Sequence, residues 1–117
     1  MKFLVIDDSP LARMTLIQSL QSLDKSCSII EAENGQEGVK NFEEHKPDIV
    51  FMDLTMPVMD GYEASKKIMD IDPLAKIVVI TADIQQKAKE RVLALGVKEV
   101  IGKPLNLDKL TEFFSKF

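Results

Sequence analysis

Asp7, Asp8 and Asp53 are the residues whose types and places could do chemistry together. Asp7 and Asp8 follow the apolar run Phe3-Leu4-Val5-Ile6, and Asp53 follows Ile49-Val50-Phe51-Met52. Runs of this kind, with no polar alternation, read as short strands buried on both faces. In an open parallel sheet the residues just past the strand C-termini gather along one edge, where ligands bind. Three carboxylates crowded there repel one another and raise the cost of ionising them all. A hard divalent cation offsets that cost, and Mg²⁺ takes oxygen ligands while keeping several waters. The sequence therefore predicts an acidic pocket for Mg²⁺, or the similar Mn²⁺.

Two further groups join this edge. The run Lys76-Ile77-Val78-Val79-Ile80 ends in Thr81, and the strand expected at 98–102 leads into Lys103-Pro104. Three acids, a hydroxyl and an ammonium suit phosphoryl transfer. A metal and Lys103 neutralise phosphoryl oxygens, Thr81 donates a hydrogen bond to one, and a carboxylate serves as nucleophile. Singly, each residue has a plainer use: Asp8 as a helix cap, Asp53 as a turn residue, Thr81 as a loop hydrogen-bonding group, Lys103 as an exposed lysine. The constellation favours chemistry because four strand ends carry complementary groups.

The elements that must position these groups alternate strand and helix five times. Strands are expected at 2–7, 28–33, 48–53, 76–81 and 98–102. Ser9 caps the first helix with Pro10 at its first position, and Met14, Ile17, Leu20 and Leu23 follow at helical spacing. Asn34 caps a helix carrying Val39 and Phe42 that Pro47 terminates, and Asp60 caps one striped by Ala64, Ile68 and Ile71. Ile84, Ala88, Val92 and Leu95 stripe the fourth helix, which Gly96 stops in a left-handed conformation. Asn106 caps the last, with Leu107, Leu110, Phe114 and Phe117 on one face. Five such units predict a doubly wound α/β fold, a five-stranded parallel sheet with right-handed crossovers; of the two reasonable strand orders, 2-1-3-4-5 is favoured for five strands. No linker, low-complexity segment or second domain is expected within residues 1–117.

Composition narrows the function classes. The chain of 117 residues is 45% hydrophobic, enough for a core in one domain of the usual ~100–150 residues. No apolar run nears the ~18 residues of a membrane span, and no signal peptide is evident. Cys27 is the only cysteine, which fits a reducing cytoplasm. The net charge of −4 argues against direct nucleic-acid binding. Residues 1–60 hold eleven acids and five bases, whereas residues 61–117 hold eight acids and ten bases. Lys87, Lys89, Arg91 and Lys98 form a basic cluster, read as a solvated helix face in preference to a partner surface. His45 has no second His or Cys partner to complete a transition-metal site, and the five glycines form no phosphate-binding loop.

These motifs carry a family resemblance. Asp7-Asp8, Met52-Asp53, Met56-Pro57-Val58-Met59-Asp60-Gly61, Thr81-Ala82 and Lys103-Pro104, in this order and spacing, resemble the receiver domains of bacterial two-component response regulators. Stand-alone CheY-like ones with the flavodoxin/CheY-like (βα)5 fold are the most similar. The resemblance covers essentially the whole chain. It implies that Asp53 is the phosphoacceptor, taking a phosphoryl group from a phosphohistidine of a sensor histidine kinase. Asp8, Asp53 and the backbone carbonyl of Thr55 would bind Mg²⁺ directly, and Asp7 through a metal-bound water. Thr81 and Lys103 would contact the phosphoryl oxygens, and the Lys103-Pro104 bond is expected to be cis. Gly61 would sit where the turn after Asp53 leaves no room for a side chain. Thr55 and Asp83 would border the path of attacking water and tune the lifetime of the phosphorylated state.

Phosphorylation would then draw Thr81 inward, move the loop at Ala82, and change the surface formed by the fourth helix, last strand and last helix. Such domains often carry Tyr or Phe three residues before the lysine, and here Val100 stands there. The implied protein is a cytoplasmic monomer, not an enzyme with a substrate of its own, though it assists its own phosphorylation and dephosphorylation. Its expected output is chemotaxis, through a flagellar switch protein, with a phosphatase as a further partner. A phosphorelay intermediate or phosphate sink is the alternative, given Val100. Other classes fit less well. A flavodoxin-like carrier would not place Asp7-Asp8 against a flavin phosphate. An aspartyl-nucleophile phosphatase would carry a second Asp at Thr55 and its nucleophile on the first strand. A receiver kept only as a binding module would lack Asp53 or Lys103.

Overall fold

The computed structural model describes residues 1–83 and 85–117. Ile84, expected on the stripe of the fourth helix, lies outside the described residues. The elements run β1 (Lys2–Ile6), α1 (Pro10–Leu23), β2 (Ser28–Ala32), α2 (Gly35–His45), β3 (Ile49–Met52), α3 (Gly61–Ile71), β4 (Ile77–Thr81), α4 (Gln86–Ala94), β5 (Glu99–Gly102) and α5 (Leu107–Ser115). The five strands form one parallel sheet in the order β2-β1-β3-β4-β5, as the pattern predicts.

The central strands are apolar on both faces because both faces are covered. Leu4, Ile6, Val50, Met52, Ile77 and Val79 pack with Phe42, Ile68 and Val92 from α2, α3 and α4. Phe3, Val5, Ile49, Phe51, Val78 and Ile80 pack with Leu16, Leu20, Leu110 and Phe113 from α1 and α5. Burying each such side chain stabilises the fold by about 1.5–3 kcal/mol. The edge strand β2 is different: only Ala32 is buried in it.

The helix starts follow cap chemistry. Ser9, Asn34, Asp60 and Asn106 each accept a backbone N–H at Ala12, Glu37, Glu63 and Lys109. The cap of α4, Gln85, makes no side-chain bond. Lys46 stops α2 in a left-handed conformation just before Pro47, and Gly96 is left-handed after α4. Three expected stripes are corrected. On α1 the buried residues are Leu16 and Leu20, whereas Met14 and Leu23 are exposed. On α5 Phe113 is buried beside Leu110, whereas Leu107 and Phe117 are exposed. Ile71 of α3 is likewise exposed. Among the described residues no helix is long and apolar enough to cross a membrane.

Candidate functional site

The adjacency of β1 and β3 builds the acidic pocket. Ile6 lies in register with Met52, so the residues after them, Asp7 and Asp53, leave the sheet side by side. The Asp53 N–H donates to the Ile6 carbonyl at 3.0 Å, and the Asp7 N–H donates to the Ala32 carbonyl at 3.1 Å. Carboxylate oxygens of Asp7, Asp8 and Asp53 all lie within 4.8 Å of one another. Asp7 and Asp53 are buried and Asp8 is exposed, so the cluster opens outward at Asp8.

Lys103 reaches this cluster from the far side of the sheet. Its Nζ lies 3.1 Å from Asp7 Oδ2 and 3.5 Å from Asp53 Oδ2. The Lys103-Pro104 bond is cis, and the Lys103 N–H donates to the Thr81 carbonyl at 2.8 Å, tying the loop after β5 to the end of β4. Thr81 is buried, and its Oγ1 accepts the Asp83 N–H at 3.1 Å. That bond uses the oxygen as acceptor and leaves the hydroxyl hydrogen to donate. Ala82 and Asp83 are exposed beside it.

Burial pushes the Asp53 carboxyl above its ordinary range, the Asp7 carboxylate adds to the rise, and the Lys103 ammonium and Leu54 amide oppose both. A cavity of about 520 Å³ meets the pocket here, walled by apolar groups of Leu11, Ala12, Leu16, Phe51 and Leu105. Burial works to lower the Lys103 ammonium, but the hydrogen bond to Asp7 and the charges of Asp53 and Asp7 outweigh it and leave it raised. Two buried carboxylates thus share one ammonium: burial raises Asp53 in spite of it, and the carboxylates raise Lys103 in spite of burial. With Asp8 the pocket is short of positive charge, and its donors are hard oxygens. That donor set fits Mg²⁺.

The remaining predicted positions surround this centre. Thr55 is exposed in the loop after β3, and Pro104 is exposed at the mouth of the cavity. Gly61 donates its N–H to the Leu54 carbonyl at 2.9 Å, and a Cβ there would collide with the main chain of Asp53 and Leu54. Val100 is half-buried and packs against the core on the α4 side of the sheet. The basic cluster does not stay together: Arg91 stacks on Tyr62, and Lys98 lies over Phe117. Arg13 escaped the sequence reading. Its Nη1 donates to the Asp7 carbonyl at 2.7 Å, and the available signal was an arginine one turn into the helix that follows the acidic pair.

Fold and pocket define a doubly wound α/β protein with an acidic site at the strand ends, and comparison with known proteins narrows the class. The chain belongs to the response regulator receiver domain family, whose model matches residues 3–115. It is 40% identical over 116 residues to the chemotaxis protein CheY of Listeria monocytogenes, covering 99% of this chain and 97% of that protein. The Thermotoga maritima CheY is 40% identical over 115 residues, covering 98% and 95% respectively. Among solved structures, a chain of the CheX-CheY-BeF3-Mg complex from Borrelia burgdorferi matches with a TM-score of 0.93. It is 32% identical, with 99% of this chain and 87% of that one covered.

Proposed function

We propose that the chain is a single-domain signalling switch set by phosphorylation of Asp53. One Asp53 carboxylate oxygen attacks the phosphorus of a phosphohistidine on a sensor histidine kinase. The phosphorus–nitrogen bond breaks, its electron pair stays on the imidazole nitrogen, and an acyl phosphate forms on Asp53. The observation that carries this reading is the Asp7–Lys103–Asp53 arrangement, with Lys103 Nζ 3.1 and 3.5 Å from the two carboxylates. It sets a nucleophile beside a charge that can turn to the incoming phosphoryl oxygens. Asp7, Asp8, Asp53 and the Thr55 carbonyl would hold Mg²⁺ or Mn²⁺. When bound, the metal supplies positive charge against those oxygens.

Thr81 acts next. Its hydroxyl hydrogen donates to a phosphoryl oxygen, and the loop at Ala82 and Asp83 follows because the Asp83 N–H is bonded to Thr81 Oγ1. The face made by α4, β5 and α5 then changes, with half-buried Val100 behind it and exposed Pro104 beside the pocket. Water later attacks the phosphorus, its bond to the Asp53 oxygen breaks, inorganic phosphate leaves, and the Asp53 carboxylate is restored. The chemotaxis relatives support an output in chemotaxis, for which the target would be a flagellar switch protein, and the CheX complex of a relative supports a further protein partner. One observation favours a phosphorelay intermediate or phosphate sink as the second reading. The half-buried Val100 is aliphatic and has no ring to swing between two rotamers.

The test is incubation with acetyl phosphate, with and without Mg²⁺, beside Asp53→Asn, read by intact mass. A single Mg²⁺-dependent phosphoryl adduct, absent in the variant, is expected. No adduct under any condition would overturn the reading.

A further inference from the structure

Asp7 is held at every polar atom. Its N–H donates to the Ala32 carbonyl at 3.1 Å. Its Oδ1 accepts the Ser9 N–H at 2.9 Å, and its Oδ2 accepts Lys103 Nζ at 3.1 Å. The last group, its main-chain carbonyl, accepts Arg13 Nη1 at 2.7 Å. The same guanidinium donates through Nε to Glu31 Oε1 at 2.9 Å. Only 15% of the Arg13 side chain is exposed. One rigid fork thus joins the first turn of α1, the edge strand β2 and the end of β1, at the residue whose carboxylate enters the pocket. A lysine ammonium lacks that fixed fork and has no planar geometry with which to set both bonds.

The geometry points to Arg13 as a positioning residue for the divalent cation: by fixing the Asp7 main chain it sets how tightly the carboxylate cluster takes Mg²⁺. This rests on the reading of Asp7, Asp8 and Asp53 as a metal site. Two rival effects of the same side chain predict different results. Acting by charge alone, the guanidinium would repel a cation, and its removal would tighten binding. Acting only as a brace for the fold, it would change melting temperature and leave affinity untouched.

The experiment measures bound Mn²⁺ by electron paramagnetic resonance, with Mg²⁺ as competitor, in wild type, Arg13→Met and Arg13→Lys. Thermal melting is recorded without metal alongside. Arg13→Met is expected to bind either ion about tenfold more weakly, the lower end of the range for losing a group that orients a metal ligand. Arg13→Lys, which keeps the charge and loses the fork, is expected to fall between it and wild type. Tighter or unchanged binding in Arg13→Met would overturn the inference. Should that variant not fold, unchanged binding in Arg13→Lys overturns it. If wild type binds no Mn²⁺ that Mg²⁺ displaces, the metal site fails first, before any variant is compared, and the inference falls with it.

Discussion

The guanidinium carbon of Arg91 lies 3.8 Å from the centroid of the Tyr62 ring, so α4 is stacked on the first turn of α3. Tyr62 follows Gly61, whose N–H is bonded to the Leu54 carbonyl beside the proposed acceptor Asp53. A short path of bonded groups therefore runs from the acidic pocket to α4. Arg91→Ala is expected to cost about 0.5–1 kcal/mol, the value of an exposed cation–π contact. Tyr62 is the only Tyr in a chain without Trp, so urea unfolding followed by tyrosine fluorescence reads this contact directly. A lower midpoint at unchanged slope is expected; an unchanged midpoint would mean that the stack contributes nothing.

Lys103→Met leaves the Asp7 and Asp53 carboxylates facing each other without their shared ammonium. Loss of about 1–3 kcal/mol is expected in metal-free buffer, as for a charge deprived of its partner. A divalent cation supplies the missing charge, so Mg²⁺ should raise the melting temperature of this variant more than that of wild type. The reverse order would show that Lys103 is not the counter-charge of the pocket. Because its partners raise Lys103, the wild-type contribution is present at neutral pH and is lost only as pH climbs through the raised alkaline value.

Asp53 gives a pH signature of the same sign in the acid range. Its carboxyl is raised by burial and by Asp7, so the folded state holds that proton more tightly than the unfolded chain. Stability of the metal-free protein then falls as pH rises from the ordinary carboxylate value through the raised one. Asp53→Asn keeps the shape and the acceptor for the Leu54 N–H, and it removes the titration. Its advantage over wild type should grow across that window and level off above it. Parallel stability–pH curves for the two proteins would contradict this account.

Two substitutions between the end of β3 and the first residue of α3 should act in opposite directions. Val58 has φ 68 and is exposed, and the Met59 N–H donates back to the Pro57 carbonyl across it. A β-branched side chain is disfavoured in that left-handed conformation, which asparagine tolerates. Val58→Asn should gain about 0.5–1 kcal/mol. Gly61→Ala places a Cβ against the Asp53 and Leu54 backbone, where nothing can swing aside, and should lose about 2 kcal/mol or more. At Gly38 the clash is with the Ile6 side chain, a group that can turn, so Gly38→Ala should cost less. Denaturant midpoints of the three variants test the ranking.

What the sequence made legible was what local chemistry decides. Ser9, Asn34, Asp60 and Asn106 cap because a short polar side chain before a helix meets an orphan N–H whatever the tertiary context. Five βα units left two strand orders, and the favoured one, which the sheet adopts, brings Asp7 to Asp53. Helix faces were less legible. Residues 10–23 carry apolar groups around much of the helix, so spacing alone chose Met14 and Leu23, whereas the sheet chose Leu16 and Leu20. The same competition put Phe113 in the core and left Phe117 to lie under Lys76 and Lys98. Arg13 was illegible because its partners, the Asp7 carbonyl and Glu31, are a main-chain atom and an edge-strand acid that no motif marks.

The register of β1 against β3 has a kinetic side. The Asp53 amide is bonded to Ile6, between two strands that each have a strand neighbour on both sides. Deuterium should enter that amide only when the whole centre of the sheet opens, and it should enter Ala82 and Asp83, on the exposed loop, far sooner. The proposed acceptor is thereby moored in the part of the sheet expected to open last, beside the exposed Ala82 and Asp83.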